Sequence, residues 1–178
     1  MSHPEMELLT GLKLHQRVIQ DAVLQAQKYV WIATANLKDM HILKPRGFRP
    51  VLEEFDQMAK GGVTFRILHS DLPSRSFRQT LERFPRLTAG ALEFQICPRS
   101  HWKMVIVDGL SVYFGSANFT GAGLGAKNEN KRNLELGVLS TDPKWVNRLQ
   151  GLFDSFWVGT YCERCALRKQ CPDPIKTS

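Results

Sequence analysis

No stretch of this sequence approaches the roughly 18 consecutive apolar residues of a membrane-spanning helix. Its first residues, MSHPEMELLTGLKLHQRVIQ, contain no uninterrupted apolar core of signal-peptide length. These two absences predict a cytoplasmic protein with no stable membrane association. Internal repeats and low-complexity tracts are also missing, which excludes solenoids and collagen-like chains. Cysteine is scarce, with four in 178 residues. In a reducing compartment so few cysteines are more often ligands or core residues than disulfides. Negative charge is in deficit: 17 Asp and Glu against 24 Lys and Arg leave a net charge of +7. Such a field favours anionic partners, nucleic acid first and anionic membrane second.

What is present is an ordinary globular composition, 43% hydrophobic, which is enough for one packed core at this length. The division expected is one domain over residues 1–160 and a small tail over 161–178. Residues 7–29 space Leu12, Val18, Ile19, Ala22 and Val23 at helical intervals, and 30–35 (VWIATA) follows as a buried strand. The stretch 36–50, rich in Lys, Arg, Pro and Gly, reads as a loop, and 51–62 (VLEEFDQMAKGG) as a helix stopped by glycines. Strands are predicted over 63–69, 91–97, 101–107, 111–117 and 133–139, with helices over 76–84 and 143–157. Arg75, Arg78, Arg83 and Arg86 read first as a solvated face of the first of these helices, with a basic face beside a cleft as the alternative. The fold class is α/β, a mixed sheet flanked by helices.

The chemistry concentrates between His101 and Glu135. Side chains alternate along a strand, so in HWKMVIVD His101 and Lys103 share a face while Asp108 has the opposite parity. Asp108-Gly109 between two hydrophobic runs is a strong hairpin signal. A two-residue loop, whether Asp108-Gly109 or Gly109-Leu110, puts Ser116 and Asn118 on the face of His101 and Lys103, whereas a three-residue loop breaks that match. The face would offer an imidazole nucleophile, a fixed cation and neutral donors, a set suited to a phosphate group without a metal ion. Asn133 and Glu135 share a face of the next strand, with Leu134, Leu136 and Val138 on the other. The Glu135 carboxylate needs a partner there, and the imidazole of His101 is the natural one.

His101, Lys103 and Asp108 match an H-x-K-x4-D pattern and are followed by Gly115-Ser116-x-Asn118 and Asn133-x-Glu135. In this order the chain resembles the phospholipase D superfamily. The resemblance implies that fold, and a two-step displacement in which the histidine forms a phosphohistidine and a second histidine protonates the leaving oxygen. It implies catalytic roles for His101, Lys103, Asp108, Ser116, Asn118 and Glu135, with Lys103, Ser116, Asn118 and Asn133 on substrate. Asp108, by parity and turn position, reads as scaffold rather than catalyst. Only one such motif occurs, because His3, His15, His41 and His69 lack its context, so the resemblance implies a homodimer supplying one histidine per chain.

Cys162, Cys165 and Cys171 form a C-x2-C-x5-C knuckle that with Cys97 makes four thiolates, expected to hold a structural zinc ion. Cys171-Pro172 and the spacing also resemble the cluster loops of iron–sulfur DNA repair glycosylases, with Ser155 where that family has its first cysteine. No cofactor is expected for catalysis. Together these features predict a nucleic-acid phosphodiesterase of endonuclease type. The alternatives are a phospholipid hydrolase or transphosphatidylase, and a nucleic-acid-binding module with little activity.

Overall fold

The computed structural model describes residues 6–44 and 47–175. Strand β1 (Met6–Thr10) leads through Gly11 into α1 (Leu12–Leu14), which continues as a π-helical segment over His15–Gln20. Next come β2 (Tyr29–Thr34), a hairpin of β3 (His41–Lys44) and β4 (Gly47–Pro50), α2 (Val51–Lys60) and β5 (Thr64–His69). Then follow α3 (Arg75–Leu81), β6 (Leu92–Ile96), β7 (Met104–Val107), β8 (Ser111–Gly115), β9 (Leu136–Ser140) and α4 (Pro143–Trp157).

Seven strands form one mixed sheet in the order β1-β9-β8-β7-β2-β5-β6. The pairs β2–β5 and β5–β6 are parallel, and the remaining four are antiparallel. One face carries the larger core. There Leu14, Val18 and Ile19, α2's Val51, Leu52 and Phe55, and α3's Phe77 close over Val30, Ile32, Phe65, Ile67, Val105 and Tyr113. Phe55 and Phe65 stack at 4.3 Å between ring centroids. The other face is covered by α4. Asp142 caps this helix by accepting from the Lys144 N–H at 2.8 Å, and Pro143 takes the first helical position, where no N–H is needed. Its Phe153 is fully buried between Trp31 and Trp157, at 5.2 and 5.7 Å, a burial that stabilises by about 2 kcal/mol. The Arg66 guanidinium lies over the rings of both Trp31 and Trp157 and is bonded to Glu93, which closes the cluster.

Several elements depart from the sequence reading. Residues 6–10 are not helical: they pair with β9 across the whole chain, Met6 opposite Ser140 and Thr10 opposite Leu136. The short apolar run was absorbed into the helical periodicity of the residues after it, since nothing local marks a partner so distant. The expected loop 36–50 contains the β3–β4 hairpin. The expected strand 133–139 begins only at Leu136, and its faces are reversed, with Gly137 and Leu139 inward, Leu136 58% exposed and Leu134 fully exposed.

Tyr113 explains the glycines around it. Its ring lies flat across the Gly115–Gly137 pair of β8 and β9, and a Cβ added at Gly137 would sit 2.7 Å from its Cζ. Burial pushes the phenol pKa up to about 12, and the charge of Glu135 adds to the rise. Gly137→Ala should therefore destabilise the fold by about 1–3 kcal/mol through overpacking. A thermal melt in which the variant equals the wild type would contradict this packing.

Candidate active site

The site collects where the parallel strands β2 and β5 end, the edge at which open α/β sheets take their ligands. Because β7 and β9 run opposite to β2 and β8, this edge also holds the entries to β7 and β9 and the exit of β8. After β6 the chain turns at 97–100, crosses the ends of β5 and β2, and enters β7. The Ser70 hydroxyl donates to the Ser100 carbonyl and ties this crossing to the end of β5. His101 and Lys103 therefore precede the strand rather than lie in it, as β7 starts at Met104.

The β7–β8 turn is built on Asp108-Gly109, as the sequence suggests, but its length differs. Val107 pairs with Ser111, leaving Asp108, Gly109 and Leu110 unpaired. This three-residue loop overturns the two-residue registers and the parity argument that placed Ser116 and Asn118 opposite His101. Asp108 and Gly109 both adopt positive φ, 56° and 68°, and the additional residue is the exposed Leu110. Bends bring the groups together instead. Past Gly115 the chain leaves β8, and Asn118 reaches back to the end of β2. There its Oδ1 accepts from the N–H groups of Ala35 and Asn36, both at 3.1 Å, and from the Thr34 hydroxyl at 3.3 Å. With Oδ1 saturated, Nδ2 is the group left to donate to a ligand. Asn118 and His101 line a cleft of about 430 Å³ with Ala35, Asn36, Leu37, Asp71 and Leu72.

Lys103 Nζ lies 2.9 Å from His101 Nδ1 and donates to the His101 carbonyl at 2.9 Å. Partial burial lowers the Lys103 pKa, while the charge of Glu135 opposes the shift. The expected pairing of Glu135 with His101 is not what the structure holds. Glu135 accepts from the Ser116 hydroxyl and, at 3.1 Å, from Asn133 Nδ2. The imidazole is taken by Lys103 because both precede the strand, and Glu135 precedes β9 beside the end of β8, where Ser116 is the nearer donor. The site is thus two linked groups, His101 with Lys103 and Ser116 with Glu135 and Asn133, with Asn118 across the cleft. Thr34, Ala35 and Asn36 were missed by the sequence reading. Two of them contribute backbone N–H groups, which leave no side-chain signature.

Asp108 stands at the far end of β7 from His101. Its carboxylate accepts from the N–H groups of Gln27, Lys28 and Tyr29 at 2.8, 2.8 and 2.9 Å, pinning the β7–β8 turn to the start of β2. The catalytic placement implied by the motif gives way to a structural one. Asp108→Ala should cost about 2 kcal/mol for the charged acceptor, and roughly 1 more for alanine at positive φ. Activity per folded molecule should stay near wild type in the cold, as measured by denaturant melts beside assays at matched folded fraction.

Of the four arginines expected on one helix face, α3 carries only Arg75 and Arg78, both exposed and next to the cleft-lining Asp71 and Leu72. Arg86 bonds Asp56 at 2.6 Å, and Arg83 lies over the ring of Phe84. Among the other histidines, His15 and His69 are buried and His41 is exposed on β3, so His101 is the one histidine lining the cleft among the described residues. His3 lies outside the described residues. All four cysteines are free, half-buried, and line a single pocket. Among the described residues, no group of three His, Cys, Asp or Glu side chains is gathered as a metal site, so the zinc expectation has no preformed cage. Nor is any described helix long and apolar enough to cross a membrane.

Comparison with known proteins follows the same lines. The family described as cardiolipin synthase, PLD-like domain, matches residues 19–157. Nuc from Salmonella typhimurium, a phospholipase D family member, superposes with a TM-score of 0.59 at 16% identity, covering 97% of this chain and 100% of that one. TrmBL2, an archaeal chromatin protein whose structure shows a novel mode of DNA binding, gives 0.58 at 17%, over 86% of this chain and only 52% of that one. Phosphatidylserine synthase from Haemophilus influenzae gives 0.57 at 20%, over 87% and 39%. This chain thus spans about half of TrmBL2 and less of the synthase. No curated protein matches by sequence.

Proposed function

Because the chain belongs to the PLD-like domain family of the phospholipase D superfamily, with phosphodiesterase-type chemistry, we infer that it cleaves nucleic acid through a phosphohistidine on His101 in a site shared by two copies. The observation that carries this reading is His101 beside Lys103, facing Asn118 across an open cleft. In the first step a His101 nitrogen attacks phosphorus, the N–P bond forms and the P–O bond to the leaving group breaks. The leaving oxygen takes a proton from the second copy's His101. Water then attacks the phosphohistidine, gives its proton to that second imidazole, and releases the first.

The resting contact with Lys103 bears on this sequence. An ammonium donating to Nδ1 holds the neutral ring in its Nε2–H tautomer, in which Nε2 has no lone pair for attack. Attack by Nε2 needs the other tautomer. A bound phosphate oxygen competes for the Lys103 ammonium and frees Nδ1 to carry the proton. Asn118 Nδ2 adds a neutral donor to the same anion.

Nucleic acid is favoured over phospholipid by the +7 charge and by the largely polar lining of the cleft, and α3, which follows the cleft-lining Asp71 and Leu72 in the chain, exposes Arg75 and Arg78. The second copy is supported by an apolar face that is exposed among the described residues. On the α4 side of the sheet, α4 does not reach the β1–β9 end, where Leu8, Leu136 and Leu134 are 68%, 58% and fully exposed. This patch runs directly into Glu135, and a site with one histidine is incomplete for the two-step reaction.

The test is cleavage of labelled oligonucleotides in excess chelator, with acid-quenched trapping of a phosphoramidate on His101. Liposomes containing phosphatidylglycerol or cardiolipin serve as the competing substrate. Cleavage of lipid without cleavage of oligonucleotide would move the protein to the alternative reading.

A further inference from the structure

After α4 the chain continues to Ile175 as a succession of turns with no strand and one short 3-10 turn at Arg168–Gln170. Across 160–175 no residue is buried, so the segment has no apolar core of its own. It is nevertheless folded back onto the sheet edge. Asp173 accepts from the Ile96 N–H at 3.2 Å, Arg168 donates to the Ile175 carbonyl at 3.2 Å, and Ile175 packs over Gly159 so closely that a Cβ there would lie 2.7 Å from it. Chain segments with so little buried apolar area are held in one conformation by a crosslink or a metal.

The cysteines occupy the places from which such a crosslink would act. Cys162 and Cys165 begin and end one turn, closed by Cys165 N–H to the Cys162 carbonyl at 3.2 Å. Cys97 opens a second turn, closed by Ser100 N–H to the Cys97 carbonyl at 2.8 Å. Cys171 follows the 3-10 turn. All four line one pocket between the end of β6 and the tail, with Phe156, Tyr161 and Leu167 as its apolar wall. Two of the four sulfurs are met by backbone N–H groups two or three residues on, Arg99 and Ser100 at Cys97 and Leu167 at Cys165. That is the arrangement that stabilises a thiolate ligand from behind. Cys165 is also engaged by the Arg99 side chain. Among the described residues the four thiols share this pocket without converging.

We propose that Cys97, Cys162, Cys165 and Cys171 bind a thiophilic metal centre, a zinc ion or an iron–sulfur cluster, which locks the tail onto the sheet edge and braces the turn that leads into His101. Four thiolates and no carboxylate or imidazole suit these two centres and disfavour hard cations. Cys97 is the one ligand from the sheet. Through Ser100, whose carbonyl is held by Ser70, it is connected within four residues to the nucleophile. The centre would thus set the position of His101 without touching substrate.

The proposal does not depend on what the cleft cleaves, and its test reads metal rather than turnover. Full-length protein purified without chelator under nitrogen is analysed for zinc, iron and sulfide, and its thiols are titrated with a chromogenic reagent before and after a strong chelator. One zinc per chain in a colourless protein, or iron with sulfide in a brown one, supports the centre and identifies it. Four thiols masked until the chelator is added support it as well. Cys97→Ser and Cys171→Ser should each reduce metal at least tenfold, whereas His101→Ala should keep it. Should a cysteine variant precipitate, cobalt titration of the stripped wild type replaces it, with thiolate-to-cobalt charge-transfer bands expected. Four thiols reactive from the outset with no metal or cobalt bands, or a disulfide mass with no metal, would overturn the proposal.

Discussion

His101→Ala should lose cleavage activity by on the order of 10⁴-fold or more, with oligonucleotide binding kept within about threefold. The size of this effect follows from the site's economy. Lys103 and Asn118 can hold a phosphate without His101, so affinity survives. No other described histidine lines the cleft, so no neighbouring base can take over the attack. Measured by single-turnover assays beside fluorescence anisotropy on the same labelled strand, the two readouts separate an enzyme from a binding module. Were cleavage to continue at a tenth of the wild-type rate, the covalent mechanism would be wrong.

Splitting the proposed pair of copies should be nearly as damaging. Leu8→Glu with Leu136→Glu places charge on the exposed β1–β9 face and should yield a monomer by sedimentation. Activity should fall by about 10²–10⁴-fold, the contribution of a general acid supplied across the interface. Both side chains are exposed in a single copy, so the monomer should still fold and melt cooperatively, with its melting temperature lowered only by the lost association. A second arm avoids new interfaces altogether. Equilibrating wild type with excess His101→Ala subunits should suppress activity well beyond dilution, because each mixed pair lacks one histidine. A monomeric double variant with full activity, or mixing that merely dilutes, would refute the shared site.

The two ends of the legibility scale are α4 and the β7–β8 turn. Pro143–Trp157 coincides with its sequence reading because cap, proline and apolar stripe all agree locally. At Asp108-Gly109 the turn was legible but its length was not. A single extra residue, Leu110, reverses every inference from alternation beyond it. The grouping of His101, Lys103 and Asn118 near one edge was readable from the motif order. How they meet was not, because Asn118 is held by backbone N–H groups of Ala35 and Asn36, which any residue could supply. Glu135 illustrates a third case. Its need for a partner was evident, but whether that was imidazole or hydroxyl depended on where β9 begins, and strand ends are weakly encoded. The N-terminal strand was lost for a different reason, as the strand it pairs with lies at residues 136–140.

That same pairing fixes an order of events during biosynthesis. Met6–Thr10 is made well before its strand partner Leu136–Ser140, which lies about 130 residues later in the chain. At roughly 5–20 residues per second the wait is on the order of ten seconds, during which the strand's backbone donors and acceptors are open to any extended chain nearby. Deletion of residues 1–10 would remove that early exposure and create a late one, since β9 would become a permanent edge with Leu136 beside it. Strand β1, made long before β9, is in this sense placed late, and it serves as a cover for the strand that begins next to Glu135.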